Sequence, residues 1–310
     1  MSKNTAPYAF IVGETLIDSV HHSDGTVTDH PGGSPANVAL TLGRLGRTAE
    51  LLTWFGQDTG GKMIEQWLAA SNVRLGLGSN EAPATSVAQA TLAADGSAQY
   101  EFQLDPRIPT GAVIPAGAVV AHTGSIASVL APGGPHVLSL LESAKATATI
   151  TYDPNARPSL MGDPEQARGI IESYVRLCDV VKVSDEDLAW LYPDQDPRAV
   201  AQEWLAWGPA LVVVTLGEAG SLGYTAAGVV ETPVPRVDVV DTVGAGDSYM
   251  GALIHGLWEE GLLGAENRSN LKNVAPSVLT RVLHQCASVA AITVSRAGAN
   301  PPWLRELSAE

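Results

Sequence analysis

The segment CDVVKVSDEDLAWLYPDQDPRAVAQEWLAWGPALVVVTLG, residues 178–217, decides the fold class. It opens and closes on short apolar runs, CDVVKVS and ALVVVTLG, with two helix-length stretches between them, near 185–192 and 197–206. Continuous apolar strands are buried on both faces, so strand, helix and strand in this order imply parallel strands joined by crossover helices. The rhythm continues upstream. Runs at 8–13, 49–54, 118–124 and 148–154 alternate with helical patterns at 35–45, 60–70, 133–145 and 164–176. The expected fold is α/β: a central, mostly parallel sheet flanked by helices.

Two interruptions break the pattern. Residues 14–31 and 85–109 carry no helical periodicity, and the second reads as a hairpin turning at Asp95-Gly96. Together they predict a small antiparallel sheet projecting from a single domain over residues 1–310, placed as a lid. SLGYTAAGVVETP (221–233) reads as a further hairpin, and the chain beyond Ala245 reads as helical.

Composition narrows the partners. With 18 basic against 33 acidic residues the net charge is −15, which repels a phosphate backbone, so nucleic acid is not expected. No apolar stretch approaches the roughly 20 residues needed to cross a bilayer, and no export signal is visible, so the expectation is a cytoplasmic protein with no membrane partner. Cys178 and Cys286 read as reduced core residues.

DTVGAGDSYMGALIHGL, residues 241–257, sets glycines before an apolar helix with a carboxylate at the joint. A helix N-terminus offers unpaired N–H groups and favours anions. Asp247 therefore has two readings: N-cap of a helix that starts at Ser248, or general base beside an anion hole built from the amides of Gly244, Ala245 and Gly246. Phosphoryl transfer needs both an anion hole and a proton acceptor at one place.

GGSPANVALTLGRLG (32–46) and DTVGAGDSYMGALIHG (241–256) resemble the two signature segments of the ribokinase-like, or PfkB, carbohydrate kinases. WFGQDTGGKMI (54–64), KVSDEDLAWL (182–191) and VVVTLGEAGS (212–221) occur between them in the family's order. The resemblance implies a Rossmann-like ribokinase fold with a β-sheet lid and ATP-dependent phosphorylation of a sugar hydroxymethyl group. GETLID (13–18), TGSIAS (123–128), YDPNARPSL (152–160) and RAGANPP (296–302) look most like fructokinases.

By the same resemblance, Asp18, Gly32, Gly33, Asn37 and Arg157 are expected at the sugar, and Thr215, Gly217 and Gly220 at the nucleotide. Ser184 and Asp187 stand where the family carries Asn-x-x-Glu, an element that organises Mg2+ through water. The shorter Asp187 leaves neighbouring Glu186 as an alternative. Asp241, with the SRAGAN loop (295–300), matches a site for a monovalent cation such as K+. The implied partners are a small sugar, ATP and a second copy of the chain, joined through the lids. The expected substrate is D-fructose, giving fructose 6-phosphate, with 2-keto-3-deoxygluconate, ribose or another sugar as the alternatives; the lid segments 14–31 and 85–105 contain no Lys or Arg, which favours a neutral sugar. A non-catalytic sugar or nucleotide sensor on this scaffold is the alternative of another class.

Overall fold

The computed structural model describes residues 6–92 and 98–307, so the Asp95-Gly96 turn lies outside the described residues. The strands among them are β1 (Tyr8–Val12), β2 (Leu16–His21), β3 (Val27–Gly32), β4 (Ala49–Leu52), β5 (Val73–Leu75), β6 (Val87–Leu92), β7 (Ala98–Gln103), β8 (Ala118–Gly124), β9 (Thr149–Asp153), β10 (Val180–Ser184), β11 (Leu211–Thr215), β12 (Ser221–Thr225) and β13 (Gly228–Thr232). Nine form one sheet in the order β13-β12-β11-β10-β9-β8-β1-β4-β5. All its pairs are parallel except the hairpin β12–β13 and its junction with β11.

Pleating divides the strand residues between two cores. On β1, Tyr8, Phe10 and Val12 join one buried cluster while Ala9 and Ile11 join the other. Each face is therefore apolar and each is covered by helices. The helix Ala245–Glu259 and the helix Pro276–Val294 lie over the second face, where Met250, Leu253 and Ile254 meet Leu279, Leu283 and Val289. By length and composition alone Pro276–Val294 passes as a membrane span, as the core helix of a globular domain also can. Its apolar side is buried in this core instead.

Strand order reverses between β1 and β8, and in doubly wound sheets ligands bind outside the carboxyl ends of the strands near such a point. From β1 the chain passes through Gly13, Glu14 and Thr15 directly into the lid strand β2.

The lid is a four-stranded sheet in the order β3-β2-β6-β7. It corrects the expectation of a fully antiparallel sheet. Each hairpin is antiparallel within itself, but the two first strands, β2 and β6, leave the body in the same direction and pair in parallel. One lid face packs on the body, with Ile17 and Ser19 buried. The other carries Asp18, Val20, Ala88, Ala90, Tyr100 and Phe102, which are cross-strand neighbours by register.

Candidate active site

The site is assembled along the carboxyl edge of the large sheet. The helix containing Asp247 begins earlier than expected, at Ala245, with Gly244 as N-cap in the left-handed region at φ 76°. Asp247 is therefore the third helical residue and not a cap. No side chain caps this helix, so its first turn keeps unsatisfied amides. Of the three anion-hole amides expected, that of Ala245 donates to the Thr242 carbonyl at 3.2 Å.

Both oxygens of Asp247 are held. Oδ1 accepts from Ser34 Oγ at 2.7 Å and from Asn155 Nδ2 at 2.9 Å, and Oδ2 accepts from Asn37 Nδ2 at 2.8 Å. Ser34 and Asn37 lie in the first turn of the helix Ser34–Arg44, whose second residue is Pro35. The Oδ1 of Asn37 is buried without a partner, an acceptor suited to a sugar hydroxyl.

Ser34 and Asn155 were not singled out in the sequence. Asn155 follows β9 with φ 34°, a backbone region that asparagine tolerates better than most residues, and this turns its amide back to donate to both Ser34 and Asp247. Arg157 closes the loop from outside, its Nη1 donating to Asn155 Oδ1 at 2.6 Å and to the Asn155 carbonyl at 3.0 Å. The guanidinium is exposed and rests on its own loop.

Asp18 stands on β2 beside the diglycine. An added Cβ at Gly32 would meet Asp18 Oδ2 at 2.3 Å, and one at Gly33, where φ is 114°, would meet the Glu14 carbonyl at 2.5 Å. Gly33 therefore requires glycine, whereas a side chain at Gly32 would displace the Asp18 carboxylate. Burial among lid atoms raises the Asp18 carboxyl above its ordinary value, although part of the residue stays open to solvent; His30 and Arg157 oppose the shift.

On the nucleotide side, Ser184 and Thr215 are register partners at the ends of β10 and β11. Ser184 caps the helix Asp185–Leu191 in a reciprocal box with Asp187. The Asp187 oxygens accept from the Ala156 and Ser184 amides at 2.8 and 3.1 Å, whereas Glu186 is exposed. Gly217 and Gly220 bracket a short 3-10 turn with φ 55° and 100°.

Asp241 accepts from the Val243 amide at 3.0 Å and from the Gly298 amide at 2.8 Å, which joins it to the 295–300 loop; these bonds hold its carboxyl below the ordinary value. That loop is braced by Arg44, whose Nη1 donates to Asn300 Oδ1 at 2.6 Å and to the Pro301 carbonyl at 2.7 Å.

Beside Gly246 lies a residue that the sequence reading passes over. Lys182 of β10 donates to Asp153 Oδ2 at 2.9 Å, both side chains almost fully buried. Burial pushes the Asp153 carboxyl up to about 7 despite the neighbouring ammonium. Burial alone would lower Lys182, but Asp153, Asp187 and Asp247 more than offset it and keep the ammonium charged.

The chain resembles known proteins over nearly its whole length. The family model described as pfkB family carbohydrate kinase matches residues 6–305. A protein named Probable fructokinase-3 from Arabidopsis thaliana is 34% identical, covering 100% of this chain and 92% of its own length. A fructokinase from Rhizobium leguminosarum bv. trifolii is also 34% identical, over 81% of this chain and 80% of its own. Among solved structures, the fructokinase with bound ATP from Xylella fastidiosa superposes with a TM-score of 0.81 at 24% identity, covering 98% of this chain and 99% of that one. The aminoimidazole riboside kinase from Salmonella enterica gives 0.79 at 22%, covering 97% and 98%. At these identities the structural likenesses establish the fold.

Proposed function

The chain belongs to the pfkB family of carbohydrate kinases, and from that premise we propose that it transfers the γ-phosphoryl group of ATP to the hydroxymethyl group of D-fructose. The observation that carries the reading is Asp247, fixed by Ser34, Asn37 and Asn155 at the foot of an uncapped helix N-terminus. Asp247 accepts the proton of the attacking hydroxyl as one of its three donors gives way to the sugar. The amides of Gly244 and Gly246 and the helix dipole face the charge that develops on the transferring group, the Ala245 amide being held by the Thr242 carbonyl. Asp18 accepts from sugar hydroxyls across the cleft.

Magnesium, when bound, neutralises the triphosphate. Because the Asp187 oxygens already accept backbone amides, exposed Glu186 is the carboxylate with freedom to take up a hydrated ion. Asp241 and the 295–300 loop, brought together through the Gly298 amide, suit a monovalent cation such as K+. Curated relatives named fructokinase favour fructose over ribose or 2-keto-3-deoxygluconate. The same reading includes a homodimer through the exposed lid face and, with both cysteines buried as free thiols, a cytoplasmic enzyme.

The test is ADP release with Mg-ATP against a panel of fructose, ribose, 2-keto-3-deoxygluconate, tagatose, glucose and adenosine, with wild type and Asp247→Asn side by side. Fructose should be the best acceptor, and the variant should lose about 10²- to 10⁴-fold in kcat while still binding sugar. Turnover on another sugar would replace the substrate; equal rates in the two proteins would remove Asp247 as the base.

A further inference from the structure

A strand buried on both faces ordinarily carries apolar residues, yet β10 brings Lys182 to the site at 3% exposure. Such a deep ion pair is costly to desolvate and is weak evidence of a stabilising device. Its location supplies a different reason. A Cβ added at Gly246 would sit 2.9 Å from Lys182 Nζ, and, its chain neighbours aside, no other described side chain comes within 4 Å of that point. The ammonium thus lies directly under the turn, closer to it than the Asp153 carboxylate is.

Asp187 and Asp247 are both near enough to favour the charged ammonium. Three carboxylates therefore gather where the end of a triphosphate must enter, in a chain of net charge −15. Asp153 uses one oxygen for Lys182 and leaves the other buried without a partner, as expected of a counter-ion and not of a hydrogen-bonding node.

We propose that Lys182 is a positioning residue of the phosphoryl-transfer site: seated under Gly246 and anchored by Asp153, it offsets the surrounding carboxylates so that the terminal phosphate of a nucleoside triphosphate is held at the turn. The inference rests on the kinase reading and names the charge on which that site depends.

Lys182→Met and Asp153→Asn separate charge from structure. ATP and ADP binding are measured by calorimetry, and kcat and KM for fructose by ADP release. Charge under the turn acts on the phosphate that ADP lacks. The ratio of ATP to ADP affinity should fall about ten-fold in Lys182→Met and hold or rise in Asp153→Asn, which keeps the ammonium and loses a carboxylate. In Lys182→Met kcat should fall about 100-fold with sugar KM changed by less than about two-fold. A purely structural pair would move the ratio alike in both variants, or in neither, and that result overturns the proposal.

If either single variant does not fold, the double variant Lys182→Met with Asp153→Asn takes its place. A ratio below wild type then supports the assignment, because the ammonium is the nearer charge; a wild-type ratio and kcat overturn it. Wild-type protein that binds ATP but phosphorylates no sugar would refute the kinase reading and leave the affinity ratio to judge Lys182. Failure to bind ATP at all would end both.

Discussion

His122 lies on β8, fully enclosed, with Nδ1 at 3.0 Å from Thr151 Oγ1 and Nε2 without a partner. Burial, aided by Lys182, lowers its pKa to about 3. The imidazole is neutral when folded and takes up a proton when unfolded, so stability is lost as pH falls from 6.5 toward 3, by roughly 1.4 kcal/mol per pH unit from this group. In urea titrations between pH 6.5 and 4.5, His122→Gln should lose stability less steeply than wild type by about that slope. Equal slopes would show that the folded imidazole protonates freely. At this scale the sequence revealed residue types but not meetings. Asp247 and Asn37 were legible because each sits in a recognisable turn. Ser34 and Asn155 were not, because they touch Asp247 across 213 and 92 residues and carry no local signal. Lys182 stood inside an apolar run, where a lysine reads as an exception.

The helices Ser34–Arg44 and Ala245–Glu259 cross closely at a glycine. A Cβ at Gly251 would sit 2.6 Å from Thr41 Cβ and 3.2 Å from the Val38 carbonyl. This close approach brings Asn37 to Asp247. Gly251→Ala should push the helices apart, costing about 1–3 kcal/mol by overpacking and lowering kcat by lengthening the Asn37–Asp247 bond. Denaturant unfolding and steady-state rates on the same preparation check it; wild-type values in both would mean that the crossing tolerates the methyl group. Elements were the most legible level. Apolar periodicity located the helices at 133–144, 164–177 and 197–206 to within a residue or so, because each buries one regular stripe. The helix at Ala245 was placed three residues late because an aspartate after glycine imitates a cap. The three-residue strand β5 was missed because it is too short to show a pattern. The parallel pairing of β2 with β6 depends on where two distant hairpins meet.

For the whole molecule, the proposed homodimer puts its interface on the lid. Its outer strand β7 exposes Tyr100 at 64% and Phe102 at 38%, their rings stacked at 6.2 Å, on the face shared with Asp18. An exposed apolar sheet face of this kind gains from cover by its own copy. Light scattering should give a dimer mass at micromolar concentration, and Tyr100→Ser with Phe102→Ser should give a monomer with the same unfolding temperature; a wild-type monomer would remove the assignment. One helix also joins Asp247 to the 295–300 loop. Ser34–Arg44 is roughly 16 Å long. Its first turn grips Asp247, and its last residue grips the loop that Asp241 ties down. A rigid rod anchored at both ends cannot settle at one without being felt at the other. Under the proposed function, a sugar that shifts the first turn and a cation that shifts the far loop are thermodynamically linked, each changing the other's affinity by the same factor.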